Sequence, residues 1–181
     1  PVKYINTDAK CYIYKKSKRL FNFNLARKHA PPLYVFEGYS DCVTSYAAGL
    51  RNGVSIGSTS FSKDHLDLVI STGIKHVVFV LDADNAGEQG TERFIKLLEE
   101  SVGGVVGLRV EIVTMPEGSD DPDAFIRALG YKDGLSNFLK LEKLDVFTWT
   151  LRRGIASGKD PISVAESTIP LIVNETSYLI R

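Results

Sequence analysis

The sequence predicts an α/β protein: a mostly parallel sheet flanked by helices, with a basic N-terminal segment and a helical C-terminal subdomain. Between residues 33 and 115, short apolar runs alternate with amphipathic stretches, as in βαβ units. After residue 122 only helical patterns remain, and the first 30 residues are strongly basic. We therefore expect three parts: a basic segment (1–30), an α/β domain (31–118) and an acidic motif with a helical subdomain (119–181).

Hydrophobic periodicity predicts the elements in order. Apolar runs predict strands at residues 33–36, 54–56, 76–81 and 109–115, of which the β-branched run at 76–81 is typical of a central parallel strand and the last closes the sheet. Amphipathic stretches predict helices at 41–50, at 62–71 and from the loop at 82–86 to residue 100. Weaker patterns predict a strand at 11–14, a short helix at 24–29, and tail helices at 123–129, 134–141, 146–156 and 162–179.

Composition excludes several classes of protein. The chain has 181 residues, 44% hydrophobic and 24% charged, which is typical of a globular domain and not of a disordered or collagen-like chain. The apolar run at 77–81 is far shorter than the ~18 residues of a membrane span. With no secretory leader pattern, we expect a cytoplasmic protein with no membrane partner. Cys11 and Cys42 form no CxxC pattern, so neither a zinc site nor a disulfide framework is expected.

The charge is unevenly distributed along the chain. Residues 1–30 hold eight Lys and Arg against one acid, a net charge of +7, and because the whole chain is neutral the remainder carries −7. This polarity predicts a basic arm beside an acidic site. The alternative is a basic segment that is merely a solvated surface.

Acids come directly after two of the predicted strands. Glu37 is next to the first strand, and Asp82 and Asp84 are next to the central one. Side chains two residues apart at a strand end point to the same side, and Glu37 joins them if the two strands are neighbours, about 4.8 Å apart. Carboxylate oxygens with open positions suit Mg²⁺. Gly38 and Gly87 would let the backbone approach such a site closely.

Each of these patterns has a structural alternative. Asp84 taken singly is more typical of a helix cap than of a metal ligand. Asp121 and Asp123 either cap the next helix, with Pro122 in its first turn, or bind a second metal ion. Ser58 and Thr59 offer hydroxyls to a phosphate, but they fit a turn equally well.

The motifs, taken together, resemble the Toprim domain of primases, topoisomerases and some nucleases, and more closely the bacterial DnaG-type primases and their phage relatives. EGYSD at 37–41 resembles their EGYxD, GSTS at 57–60 their glycine-threonine-rich loop, DADNAG at 82–87 their DGDxAG and DPD at 121–123 their third acidic motif. KYIN at 3–6 is similar to their KYLN, and the segment from Lys16 to Arg27 resembles the residues after KYLN in that family. Ala83 departs from the glycine that is usual there.

The resemblance implies a Toprim-type fold and the synthesis of RNA primers on single-stranded DNA by Mg²⁺- or Mn²⁺-dependent nucleotidyl transfer with two or more metal ions. It implies a single-stranded DNA template, nucleoside triphosphates and a replicative helicase as partners, in the cytoplasm of a bacterium or a phage host. Glu37, Asp82 and Asp84 would be catalytic. The implied metal ligands are Glu37, Asp41, Asp82, Asp84, Asp121 and Asp123, and the implied nucleotide or nucleic-acid contacts are Lys3, Tyr4, Asn6, Lys16, Arg27, Ser58 and Thr59.

The resemblance also implies that parts are missing. The family has a zinc-binding domain and a basic subdomain before the KYLN motif and a helicase-binding region after the helical tail. Because the chain begins at Pro1 and its only methionine is Met115, we expect a fragment that binds metal and nucleotide but makes few primers or none. The alternatives are part of a Toprim nuclease or topoisomerase, a receiver-like signalling domain and a catalytically silent nucleic-acid-binding module.

Overall fold

The computed structural model describes residues 15–57, 60–82, 85–100 and 107–166. At its centre is a five-stranded sheet in the order β2-β1-β3-β4-β5. The first four strands are parallel and β5 runs antiparallel to β4, so the predicted mostly parallel sheet is confirmed. The strands are β1 (Leu33–Phe36), β2 (Gly53–Ser55), β3 (His76–Leu81), β4 (Arg109–Thr114) and β5 (Leu144–Asp145).

Helices cover both faces of the sheet. They are α1 (Phe23–Ala26), α2 (Tyr39–Ala48), α3 (Lys63–Ser71), α4 (Asn85–Glu100), α5 (Pro122–Ala128), α6 (Tyr131–Leu139) and α7 (Val146–Ala156). A 3-10 turn (Lys16–Lys18) precedes α1, and residues 161–166 are helical. None of the described helices combines the length and the hydropathy that a bilayer crossing requires.

The two faces of the sheet bury separate hydrophobic cores. Tyr34 and Phe36 of β1 point to the face covered by α2, α5 and α6, where both rings pack against Phe138. Leu33 and Val35 point to the opposite face, which α1, α3, α4 and α7 cover. Burial on both sides explains why the central strands are continuous apolar runs without polar alternation.

The structure corrects one prediction about the sheet and shifts some helix boundaries. Residues 109–115 do not close the sheet, because β5 pairs outside β4 through Glu111 and Ile112. A two-residue strand leaves no periodicity for the sequence to show. Helices α2 and α6 begin at Tyr39 and Tyr131, directly after Gly38 and Gly130, earlier than predicted. The strand predicted at 11–14 lies outside the described residues, and the division into three parts stays a prediction.

Glu111 joins two strands near the amino end of the sheet. Its carboxylate contacts His76 Nε2 and the Arg109 guanidinium, both at 2.7 Å. Burial raises the pKa of Glu111, but the hydrogen bonds and charges of His76 and Arg109 outweigh it and bring the pKa below its ordinary value of 4.5. A carboxylate with a lowered pKa stabilises the fold above its unfolded-state pKa, and the benefit is lost as the pH falls through the folded-state pKa.

We therefore predict that Glu111→Gln lowers the free energy of unfolding by about 1–2 kcal/mol at neutral pH. The difference from the parent, measured by urea unfolding at neutral and at acidic pH, should shrink as the pH falls through the lowered folded-state pKa of Glu111. Glu117→Gln, at an exposed loop position, is the control and should change little. If Glu111→Gln lowered the free energy of unfolding by the same amount at neutral and at acidic pH, this would contradict a stabilising role for the charge of Glu111.

Candidate functional site

The site is built at the carboxyl edge of the sheet, where two acids lie after neighbouring strands. Glu37 comes directly after β1 and Asp82 directly after β3, and these strands pair in parallel. The backbone N–H of Asp82 donates to Glu37 Oε1 at 3.4 Å, and Oδ1 of Asp82 is buried. The fold therefore brings the two residues together. Asp84, the third member of the predicted cluster, lies outside the described residues.

Gly87 permits this close approach. It lies in the first turn of α4 and is buried. A Cβ at this position would lie 2.7 Å from the carbonyl oxygen of Asp82 and 2.8 Å from Glu37 Oε1. Side-chain carbons do not tolerate such distances, so the helix reaches the two acids only because residue 87 has no side chain.

Ser55 holds the segment after β1 in place. It is the last residue of β2 and is fully buried. Its hydroxyl donates to the carbonyl oxygen of Glu37 at 3.0 Å and accepts the backbone N–H of Gly57 at 2.9 Å. One side chain thus connects Glu37 to the loop after β2. A serine that ends an apolar strand, two residues before a glycine, is the only sequence pattern that could have identified it.

We predict that Ser55→Ala lowers the free energy of unfolding by about 1–3 kcal/mol, because it leaves a backbone donor and a backbone acceptor without their shared partner. Ser71→Ala is the matched control, because Ser71 is exposed at the end of α3 and its hydroxyl bonds to Leu68 of its own helix. It should change stability by less than about 0.5 kcal/mol. Chemical unfolding of both variants checks this, and equal effects would contradict a special role for Ser55.

A second group of acids lies where α2 meets α5. Asp41 is buried, and its two carboxylate oxygens accept the backbone N–H groups of Gly38 (3.0 Å) and Asp123 (3.2 Å). Asp121 caps α5 by accepting the N–H of Ala124 at 2.7 Å, with Pro122 in the first turn. The capping alternative is thus realised for Asp121. Asp41 links the first acidic motif to the third.

Asp123 is held by two residues for which the sequence predicted no role. Its Oδ1 accepts a hydrogen bond from Thr44 of α2 and an ion-paired one from Arg127 Nε at 2.6 Å. The Asp123–Arg127 spacing is i,i+4 on α5, a pattern that the sequence does contain. Thr44 gives no such signal, because its partner is 79 positions away.

The electrostatics of this second group favour a cation. Burial raises the pKa of Asp41, and the nearby carboxylates of Asp121 and Asp123 raise it further, against the lowering effect of its backbone hydrogen bonds. A positive ion nearby would relieve that repulsion. Among the described residues, no three His, Cys, Asp or Glu side chains converge closely enough to hold a metal ion by themselves.

The remaining predicted site residues lie mostly beyond the described part of the chain. Lys16 lies in the 3-10 turn before α1, and its side chain is not described. Arg27 is exposed at the C-terminal end of α1. The predicted residues that lie outside the described ranges, besides Asp84, are Lys3, Tyr4, Asn6, Ser58 and Thr59.

Comparison with known proteins finds a matching family model and related sequences. A family model described as Toprim-like matches residues 34–126. A DNA primase of Enterococcus faecalis is 29% identical over 187 residues, which cover 99% of this chain and 28% of that protein. This chain therefore spans about a quarter of the length of the curated relatives that it matches.

Solved structures show the same fold. The crystal structure of a DNA primase domain from Pseudomonas aeruginosa aligns with a TM-score of 0.74 and 24% identity, covering 87% of this chain and 48% of that one. A DnaG primase catalytic domain bound to single-stranded DNA aligns with a TM-score of 0.56 and 24% identity, covering 73% of this chain and 41% of that one.

Proposed function

Because the chain belongs to the Toprim-like family, we propose that it is the nucleotidyl-transfer core of a DNA primase, which extends RNA primers on single-stranded DNA. The observation that carries the proposal is the contact between Glu37 and Asp82 at the carboxyl edge of the sheet. Ligands of parallel α/β sheets bind at this edge. The similarity to DNA primases supports primer synthesis over the other reactions of Toprim proteins.

The residues at this edge fit Mg²⁺ or Mn²⁺. They offer carboxylate oxygens, which are the hard ligands that these ions prefer, and Gly87, which has no side chain, lets the start of α4 approach both acids closely. We assign Glu37, Asp82 and Asp84 to direct metal binding. When bound, the ions would supply the positive charge that neutralises the triphosphate and activates the attacking hydroxyl.

The second acidic group has a different part in this proposal. Asp121 and Asp123 lie close enough to Asp41 to raise its pKa, and one carboxylate oxygen of each accepts the hydrogen bonds described above. In this proposal their second oxygens would bind a further cation. Both oxygens of Asp41 accept backbone N–H groups, and the residue is 2% exposed. We therefore assign Asp41 to positioning α5 against α2 and not to direct metal binding.

The reaction requires the protein to align three groups. The 3′ hydroxyl of the primer attacks the α-phosphorus of the incoming nucleotide, a new P–O bond forms, and pyrophosphate leaves. In this proposal Glu37 would bind the ions that contact the reacting groups. Ser55 holds its backbone carbonyl, and its Oε1 accepts the N–H of Asp82. The exposed Lys and Arg side chains before residue 30 would attract the template or the triphosphate.

A primer-extension experiment tests the proposal. An RNA primer already annealed to a DNA template removes the need for initiation, so the chain itself can be tested with Mn²⁺ and labelled ribonucleotides. Template-dependent addition of nucleotides to the primer supports the proposal. Cleavage of the template strand without extension would instead assign the site to a nuclease and overturn it.

A further inference from the structure

The turn that joins the basic segment to α1 holds an exposed phenyl ring in a fixed position. Phe21 forms an antiparallel bridge with Ser55, in which its N–H donates to Ser55 O at 2.8 Å and its carbonyl accepts Ser55 N–H at 3.2 Å. The next residue, Asn22, is left-handed (φ 64°), and its side-chain amide donates to Gly53 O at 2.9 Å. The backbone here is therefore tied to β2 by three hydrogen bonds.

Despite this anchoring, Phe21 is 45% exposed. It packs edge-to-face on Tyr39, with ring centroids 5.3 Å apart, and Tyr39 in turn lies against Gly57. Burying the ring would have been favourable, yet the turn directs the adjacent Leu20 and Phe23 into the core and leaves Phe21 outside. An exposed aromatic residue on an anchored backbone is the kind of surface on which a nucleobase stacks.

The ring also lies next to the proposed catalytic edge. Ser55, its bridge partner, donates its hydroxyl to the carbonyl oxygen of Glu37. Tyr39, its ring partner, is two residues beyond Glu37 in the chain. Phe21 is therefore connected to the acidic site both through Ser55 and through Tyr39.

The segment just before Phe21 also carries Lys and Arg side chains. A groove of about 700 Å³ is lined by Lys15, Lys18 and Arg19 and floored by Leu20 and Phe23. Within the described ranges, none of these three basic side chains is in an ion pair. The segment is held to α3 by the hydroxyl of Ser62, which donates to Ser17 O at 2.5 Å. Phe21 does not line this groove, but Arg19 does, and it lies two positions before the ring along the chain. Exposed cations near an exposed aromatic ring are the features that bind single-stranded nucleic acid.

We propose that Phe21 is a stacking platform for one base of a single-stranded nucleic acid whose phosphates lie along Lys15, Lys18 and Arg19. This inference rests on the proposed function. It adds a binding position for the nucleic-acid strand next to the catalytic edge. The ring reads no sequence, because every base has a face on which it stacks. The cations supply the salt-dependent part of the affinity and the ring supplies the salt-independent part.

The test uses the chain as given and two fluorescent oligonucleotides of equal length, one of thymidines and one with abasic sites in place of the bases. Phe21→Leu keeps an apolar side chain but removes the ring, and we expect it to weaken thymidine binding about ten-fold while leaving abasic binding unchanged. Phe21→Trp should bind as the parent does. Tyr131→Ala is the matched control, because Tyr131 is an aromatic residue that is 50% exposed on α6.

Each outcome decides the proposal. Arg19→Ala should weaken binding of both oligonucleotides and reduce the salt dependence, which separates phosphate contact from stacking. Equal loss on the two oligonucleotides for Phe21→Leu, or none on either, overturns the stacking role, as does a parent that binds neither oligonucleotide. Binding of Mn²⁺ with triphosphate, measured separately, shows whether the proposed function fails along with the stacking role or stands without it.

Discussion

Glu37→Gln should lower nucleotide addition by about 10²- to 10³-fold, with the fold retained. Glutamine has the same shape and still accepts the N–H of Asp82, so the local backbone keeps its partner. It lacks the negative charge that a divalent cation needs from its ligands. The loss should therefore fall on metal-dependent chemistry and not on stability.

Primer extension and thermal unfolding, measured on the same preparations, check this prediction. Glu100→Gln is the matched control, because Glu100 is exposed at the far end of α4 and its ion pair with Lys96 is long, at 3.9 Å. The control should extend primers at the parent rate. A Glu37→Gln protein that retains full activity would remove Glu37 from the catalytic site.

Gly87→Ala should damage both the fold and the site. The added methyl group would lie 2.7 Å from Asp82 O, a backbone atom that cannot rotate away, and 2.8 Å from Glu37 Oε1. We expect a loss of about 1–3 kcal/mol in the free energy of unfolding, because the start of α4 must move away from β3. Binding of Mn²⁺ should weaken at least about ten-fold, because the two acids are displaced from each other.

Gly73→Ala separates these two effects. Gly73 lies after α3 with φ 77°, and a Cβ there would meet nothing within 4 Å. The strained backbone should cost about 1 kcal/mol, while Mn²⁺ binding stays at the parent level. If Gly73→Ala weakened Mn²⁺ binding as much as Gly87→Ala, the effect would reflect general loss of stability and not the geometry at Gly87.

The parallel core of the fold was predictable because its determinants are local. The β-branched run of β3 and the apolar β1 indicate strands that are buried on both faces, and the acids that come after them must then share one edge. The same reasoning identified Gly87 as a position of close backbone approach. Strand β5 escaped prediction because two residues carry no periodicity.

The supports of the site could not be predicted, because they depend on contacts between residues distant in sequence. Ser55 holds Glu37 across 18 positions, and Thr44 contacts Asp123 across 79. Phe21 reads in the sequence as one more apolar residue between Leu20 and Phe23, and only the bridge to β2 shows that it faces outward. Helical or strand periodicity describes one element at a time and contains no information about such pairings.

The most direct test of a metal-dependent nucleotidyl-transfer site is calorimetric titration of the chain with Mn²⁺, with and without a ribonucleoside triphosphate. We expect Mn²⁺ to bind the parent and to bind it more tightly when triphosphate is present. We expect this binding to disappear in the double variant Asp82→Asn, Asp84→Asn. No uptake by the parent at millimolar Mn²⁺, or equal uptake by the double variant, would contradict the assignment of these acids to metal binding.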